Sequence, residues 1–163
     1  MGCVKGEVDK PGLRFIPGNE VAGTICEIGE GVNGWKIGQR VIALCMMGGY
    51  AEKVAVPQTH ILPLPEAIPA DEAAALGTAH ATAHHALKQR AQIQPGETLV
   101  VTGAAGGTGL AAVQIGKQMG ATVIAVCSTA EKLATAKANG ADILINYTEQ
   151  DLKQAIKDAT EGK

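Results

Sequence analysis

Between Gly96 and Lys117 the chain reads GETLVVTGAAGGTGLAAVQIGK, and no other stretch constrains its fold as much. A β-branched, apolar run, Thr98 to Thr102, enters Gly103-Ala104-Ala105-Gly106-Gly107-Thr108-Gly109. A segment at helical spacing (Leu110, Val113, Gln114, Lys117) leaves it. The predicted order is strand, glycine turn, helix. Glycines let a backbone turn tightly and approach a bound phosphate with no Cβ between them. The helix then presents unpaired N–H groups and its positive dipole end to that anion. The turn is therefore expected to bind a dinucleotide. The competing reading is a glycine turn that only packs a helix on a sheet, because a bare GxGxxG is weakly specific and its first glycine is Ala104 here. The downstream sequence favours the first reading. A second strand pattern, Thr122 to Val126, follows Gly120, and after a further helix pattern comes a third, Asp142 to Asn146. That succession is one mononucleotide-binding half of an α/β, doubly wound sheet.

Composition narrows the partners. Of 163 residues, 14 are Lys or Arg and 16 are Asp or Glu, with no basic block and few aromatics, so a charged, base-stacking groove for nucleic acid is not expected. Cys3, Cys26, Cys45 and Cys127 form no CxxC pair. This argues against structural zinc and for reduced thiols in a cytoplasmic protein. No signal-peptide core and no apolar run of about 18 residues is present, so no membrane partner is expected. Met1-Gly2-Cys3 resembles a myristoylation start, but Gly6 stands where Ser or Thr is required.

Ahead of the glycine turn the pattern differs. Residues 1–19 read as a loop. Short strands are predicted at Glu20–Ile28, Arg40–Ala43, Tyr50–Val56 and His60–Leu64, separated by glycine turns and Pro57, Pro63 and Pro65. This is a barrel-like all-β segment. Near Pro69 the character changes: Asp71 can cap a helix over Glu72–Leu76, and a second helix is predicted over Thr78–Lys88. Two domains are expected, 1–70 and 71–163. Ser128-Thr129-Ala130-Glu131 reads as a capping box, Gly140 as the close of that helix, and Thr148-Glu149-Gln150-Asp151 as the start of another.

These residues resemble the zinc-independent quinone oxidoreductases, the zeta-crystallin group of the medium-chain dehydrogenases/reductases. Gly96–Lys117 is similar to that group's signature, with Val100 where leucine is commoner. Pro17-Gly18-Asn19-Glu20-Val21-Ala22-Gly23, Gly38-Gln39-Arg40-Val41, Gly48-Gly49-Tyr50-Ala51-Glu52, Glu72-Ala73-Ala74-Ala75-Leu76 and Ile145-Asn146-Tyr147 also fit; Gln39 replaces a usual aspartate. The resemblance spans essentially the whole chain. It implies a partial doubly wound (Rossmann) sheet preceded by a partial GroES-like β-barrel domain. Such enzymes have roughly twice as many residues, so the expectation is a fragment or truncated isoform. The Asn and Tyr that the family carries beside its substrate fall upstream of Met1.

The resemblance implies an NADPH-dependent oxidoreductase passing hydride to a quinone, homo-oligomeric at full length. Enoyl-thioester or enone reduction on the same scaffold, and a non-catalytic, crystallin-like cofactor-binding protein, are the alternatives. Ala105, Gly106, Gly107, Thr108 and Gly109 are the candidate pyrophosphate residues. The second strand ends in Cys127-Ser128-Thr129 with Lys132 a turn later, and no carboxylate stands there to repel a 2′-phosphate. By resemblance Ser128, Lys132 and Tyr147 match the family's 2′-phosphate contacts; the plain alternatives are a helix cap for Ser128 and a surface lysine for Lys132. Thr82 matches a threonine near the nicotinamide and carries the catalytic expectation, against a hydroxyl that only bonds its own helix. No metal is expected. Asn19 occupies the place of a histidine ligand in zinc-dependent relatives, and His80, His84 and His85 read as ordinary helix-surface histidines lacking a third ligand.

Overall fold

The computed structural model describes residues 6–7 and 14–162. Cys3 and the Met1-Gly2-Cys3 start lie outside the described residues. The chain forms two compact units, one up to Thr78 and one from Ala79 onward.

In the first unit, strands β1 (Gly6–Glu7) and β2 (Arg14–Phe15) pair antiparallel. Strands β3 (Glu20–Thr24), β4 (Arg40–Leu44) and β5 (Ile61–Pro63) form an antiparallel sheet in the order β3-β4-β5. Val41 and Ala43 alternate inward from β4, and with Leu64 they are buried. β3 stops at Thr24, short of the expected Ile28. Beyond it only Ile25 still pairs, giving its N–H to Gln39 and accepting from Gly38. The strand expected over Tyr50–Val56 does not form. The N–H groups of Gly48, Gly49 and Tyr50 instead bond the carbonyls of Ile16, Gly18 and Pro17 at 2.7–2.9 Å, which ties the segment to a loop rather than to a sheet edge. Helix α1 is Ala70–Ala73, entered from Pro69; Asp71 lies inside its first turn and is not its cap. Proline before the first helical residue suits this entry, since its fixed φ demands no N–H.

Helix α2 (Leu76–His84) runs on into a π-helical turn, His85–Arg90, where a single α-helix over Thr78–Lys88 was expected. The wider turn is closed by the N–H of Ala91 on the carbonyl of Ala86, and it carries Leu87 into the interior. Gln92 then ends it at φ +53°, a left-handed position with none of the usual glycine signal.

The second unit is an α/β sandwich. Strands β6 (Thr98–Thr102), β7 (Thr122–Cys127) and β8 (Ile143–Asn146) are parallel, in register Thr98↔Thr122 and Cys127↔Asn146. Helices α3 (Gly107–Gln118) and α4 (Ala130–Ala138) link them, and α5 (Leu152–Ala159) follows β8. β7 is apolar on both faces, as a strand covered on both sides must be. Val123, Ala125 and Cys127 pack with Val113, Leu133 and Ala136 of α3 and α4. Ile124 and Val126, with Ile145, pack against Leu152, Ala155, Ile156 and Ala159, one stripe of α5 at helical spacing. Helices on both faces of a parallel sheet make this the doubly wound arrangement the sequence predicted, with a GroES-like β segment ahead of it.

Candidate cofactor site

All the expected cofactor residues of the second unit gather at the C-terminal ends of parallel strands, where doubly wound sheets open to ligands. At the end of β6, Gly103 has φ +65°, the left-handed turn that glycine permits. Ala104, in the place of the first glycine of the pattern, is fully buried beneath it. Its methyl belongs to the core, so the alanine is tolerated there. Gly106 is the N-cap of α3, and no side chain caps that helix. Gly106 donates to the Gly103 carbonyl at 2.9 Å, and its own carbonyl accepts the first helical N–H, from Leu110, at 2.7 Å. The N–H groups of Gly107, Thr108 and Gly109 lie in the helix's first turn, where none has an intrahelical acceptor. Ala105 is half-buried, while Gly106, Gly107 and Thr108 are exposed.

The glycines are not equivalent. A Cβ at Gly109 would be driven into the Gly103 carbonyl and come within 3.1 Å of the Ala104 Cα, so this glycine is required by helix–turn packing. A Cβ at Gly106 would meet only the Gly103 oxygen, at 3.4 Å. At Gly107 it would meet nothing within 4 Å. The open glycines thus face outward, where a ligand backbone or phosphate has room.

At the end of β7 the expected capping box is not made. Thr129, not Ser128, caps α4, its hydroxyl accepting from Lys132 N at 3.3 Å. The cap shifts by one because either hydroxyl satisfies the rule and the chain uses the second. This frees Ser128, whose Oγ accepts from Lys132 Nζ at 3.2 Å. An ammonium and a hydroxyl therefore meet on the exposed rim beside the end of β8, and neither bonds a carboxylate among the described residues. Tyr147 follows β8 directly, is half-exposed, and is held by its N–H on the Cys127 carbonyl at 3.2 Å. Register Cys127↔Asn146 makes Ser128 and Tyr147 the first residues beyond two neighbouring strand ends.

Thr82 is exposed on α2, and its hydroxyl has no hydrogen-bond partner among the described residues. By contrast, Thr135 and Thr160 bond their own helices' carbonyls. At the start of α2, Glu20 Oε2 accepts the N–H of Thr78 at 2.7 Å, a carboxylate on a helix N-terminus that the sequence reading missed. His80 is not a plain surface histidine. It is half-buried, and its Nε2 donates to Gln114 Oε1 at 3.1 Å. Gln114 Nε2 then donates to Asn139 Oδ1 at 2.7 Å, and Asn139 Nδ2 to the Thr135 carbonyl. His80 Nδ1 is the buried side-chain polar atom left without a partner among the described residues. The string ties α2, α3 and α4 together. His84 and His85 are exposed, as expected.

Two family models match the chain: the alcohol dehydrogenase GroES-like domain over residues 1–66 and the zinc-binding dehydrogenase domain over 107–163. The second description names zinc; among the described residues no three His, Cys, Asp or Glu side chains gather, and Cys45 Sγ donates to the Gly18 carbonyl at 3.5 Å. A quinone oxidoreductase-like protein 2 homolog of Nematostella vectensis is 37% identical over 99% of this chain and 45% of its own length. The human quinone oxidoreductase is 36% identical over 91% of this chain and 45% of its own. This chain therefore spans about half the length of the curated relatives it matches. Among solved structures, the Escherichia coli quinone oxidoreductase complexed with NADPH superposes with a TM-score of 0.89 at 35% identity, covering 94% of this chain and 48% of that one. The CurK enoyl reductase superposes at 0.80 with 33% identity, over 88% and 43%. With both domains matched in order and the same parallel sheet behind the glycine turn, the chain belongs to the medium-chain dehydrogenase/reductase family, among its quinone oxidoreductase-like members.

Proposed function

We propose that this chain binds NADPH and forms the cofactor-holding part of an oxidoreductase that reduces a quinone or related small conjugated acceptor. The observation that carries the reading is the pairing of Ser128 and Lys132 at the end of β7, where neither has an acidic partner among the described residues, one strand from the uncapped N-terminus of α3. The first turn of α3, from Gly106 to Gly109 with Ala105 beside it, receives the pyrophosphate through backbone N–H groups. Lys132 gives charge and Ser128 a hydroxyl to the 2′-phosphate, with Tyr147 beside them. The unbonded hydroxyl of Thr82 is free to orient the nicotinamide end. NADPH, when bound, supplies the hydride. Reduction of a quinone to the hydroquinone takes that hydride and one proton, which water can supply. NADPH-bound quinone oxidoreductases among the structural neighbours support the cofactor.

A second reading, reduction of an enoyl thioester, is favoured by the enoyl reductases among the same neighbours. Two measurements test these. Calorimetric titration of the chain should give tighter binding of NADPH than of NADH, and Lys132→Glu should weaken NADPH by about tenfold, ~1.4 kcal/mol, while sparing NADH. Equal loss for both cofactors removes Lys132 from the site. Oxidation of NADPH by the enzyme with a benzoquinone against a crotonyl thioester then separates the two acceptors.

A further inference from the structure

We propose that Asn146 and Thr148 are positioning residues for cofactor choice: together they clamp the segment bearing Tyr147 onto the carbonyl of Ser128. The inference rests on the reading of Ser128, Lys132 and Tyr147 as the 2′-phosphate site. Among the described residues Asn146 is the buried polar one, 5% exposed. A polar amide at a buried strand end is costly unless it is bonded. Its Oδ1 accepts twice, from Thr148 N at 3.1 Å and from Thr148 Oγ at 2.8 Å. The Thr148 hydroxyl lies also 3.3 Å from the Ser128 carbonyl, so its single proton is shared between the two acceptors. Asn146's own carbonyl accepts the N–H groups of Glu149 and Gln150, both at 3.1 Å. The chain is thereby folded back at once after β8, with Tyr147 at the apex and Thr148 returned to the neighbouring strand end.

The clamp joins the ends of β7 and β8 through side chains, beyond the last backbone contact between them, Tyr147 N–H to the Cys127 carbonyl. It leaves the glycine turn alone: neither residue bonds any atom of 103–109. This locality makes the effect specific. NADPH and NADH share the pyrophosphate, both riboses and the nicotinamide, and differ only at the 2′ position. A loosened clamp disperses Ser128 and Tyr147 and weakens the cofactor that carries the phosphate. A loosened sheet weakens both.

Thr148→Val removes the hydroxyl at an exposed position while keeping its shape; Thr148→Ser restores it. Dissociation constants for NADPH and NADH are measured by calorimetry on the same chain, beside Lys132→Glu. The expected result is that Thr148→Val lowers the NADPH preference by about fivefold with NADH unchanged, the scale of one lost hydrogen bond, and that Thr148→Ser recovers it. Asn146→Leu should move the ratio in the same direction. If Lys132→Glu lowers the ratio but Thr148→Val does not, the clamp is overturned and the phosphate site stands. If Thr148→Val weakens both cofactors alike, its role is structural and the proposal fails. A ratio indifferent to Lys132→Glu overturns the phosphate site itself, and the clamp with it.

Discussion

Two glycines three residues apart make different demands, and they can be separated by substitution. Gly106→Val places a Cβ 3.4 Å from the Gly103 oxygen and within 4 Å of nothing else, at an extended backbone position with φ −81°. It should leave circular dichroism unchanged and weaken NADPH at least tenfold, ~1.4 kcal/mol. Gly109→Val forces a side chain into the Gly103 carbonyl and should lower stability by about 1–3 kcal/mol in denaturant titration. Retained NADPH affinity in a folded Gly106→Val protein would reduce the turn to a packing device. Residue identity was legible in the sequence wherever a local rule had one solution: Gly140, with φ +110°, closes α4 as read. It failed where two neighbours satisfied the same rule. Ser128 and Thr129 are equal caps on paper, and only the backbone decides that Thr129 takes the role. The bonds of Glu20 to Thr78 and of His80 to Gln114 join residues 58 and 34 positions apart, a separation at which no periodicity signals contact.

Among the elements, β8 is placed by an acid. Asp142, just before the strand, accepts from Lys117 Nζ of α3 at 2.6 Å and from Val123 N of β7 at 2.8 Å. Those bonds, the lysine's first, hold its carboxyl below the ordinary value of 3.8. A depressed acid stabilises the fold fully above its unfolded pKa, and that contribution disappears as pH falls through the folded pKa. Asp142→Asn should therefore cost about 1 kcal/mol at neutral pH, modest because both partners are part-exposed, and the gap from wild type should close as pH is lowered below 3.8. Equilibrium unfolding across that range checks it. In the first unit Arg40 holds the chain after β5, donating to the carbonyls of Pro65 at 2.9 Å and Ile68 at 2.6 Å. Arg40→Lys cannot reach both with a single ammonium and should destabilise by about 1–2 kcal/mol, read by the same titrations. The elements of the second unit were legible because β-branched runs alternate with glycine turns and capped helices. Tyr50–Val56 looked equally like a strand, but the N–H of Tyr50, with those of Gly48 and Gly49 just before it, is committed to the carbonyls of residues 16–18.

For the whole molecule, family and architecture were legible from motifs that recur over nearly the full length. Both core clusters among the described residues lie within the second unit, which carries the glycine turn. Cofactor binding should thus be visible as stabilisation: NADPH at about a hundred times its dissociation constant adds ~2.7 kcal/mol to the fold that binds it. Thermal melts with NADPH and with NADH at matched concentrations should differ, and Lys132→Glu should remove the difference.

In the sheet of the second unit, β7 alone has a strand on each side among the described residues, and five of its six residues are buried. Backbone amides there can reach solvent only when both neighbours and both layers of helix have parted. Isotope exchange would thus grade the sheet from its rims inward, with alternate amides of β6 and β8 exchanging early and those of β7 reporting the global opening of the fold. The strand whose end carries Ser128 is then the slowest clock of this sheet. Cofactor added to the exchange buffer would be read out at β7 as a lengthened time to complete unfolding, and at the strand rims as a change in local breathing.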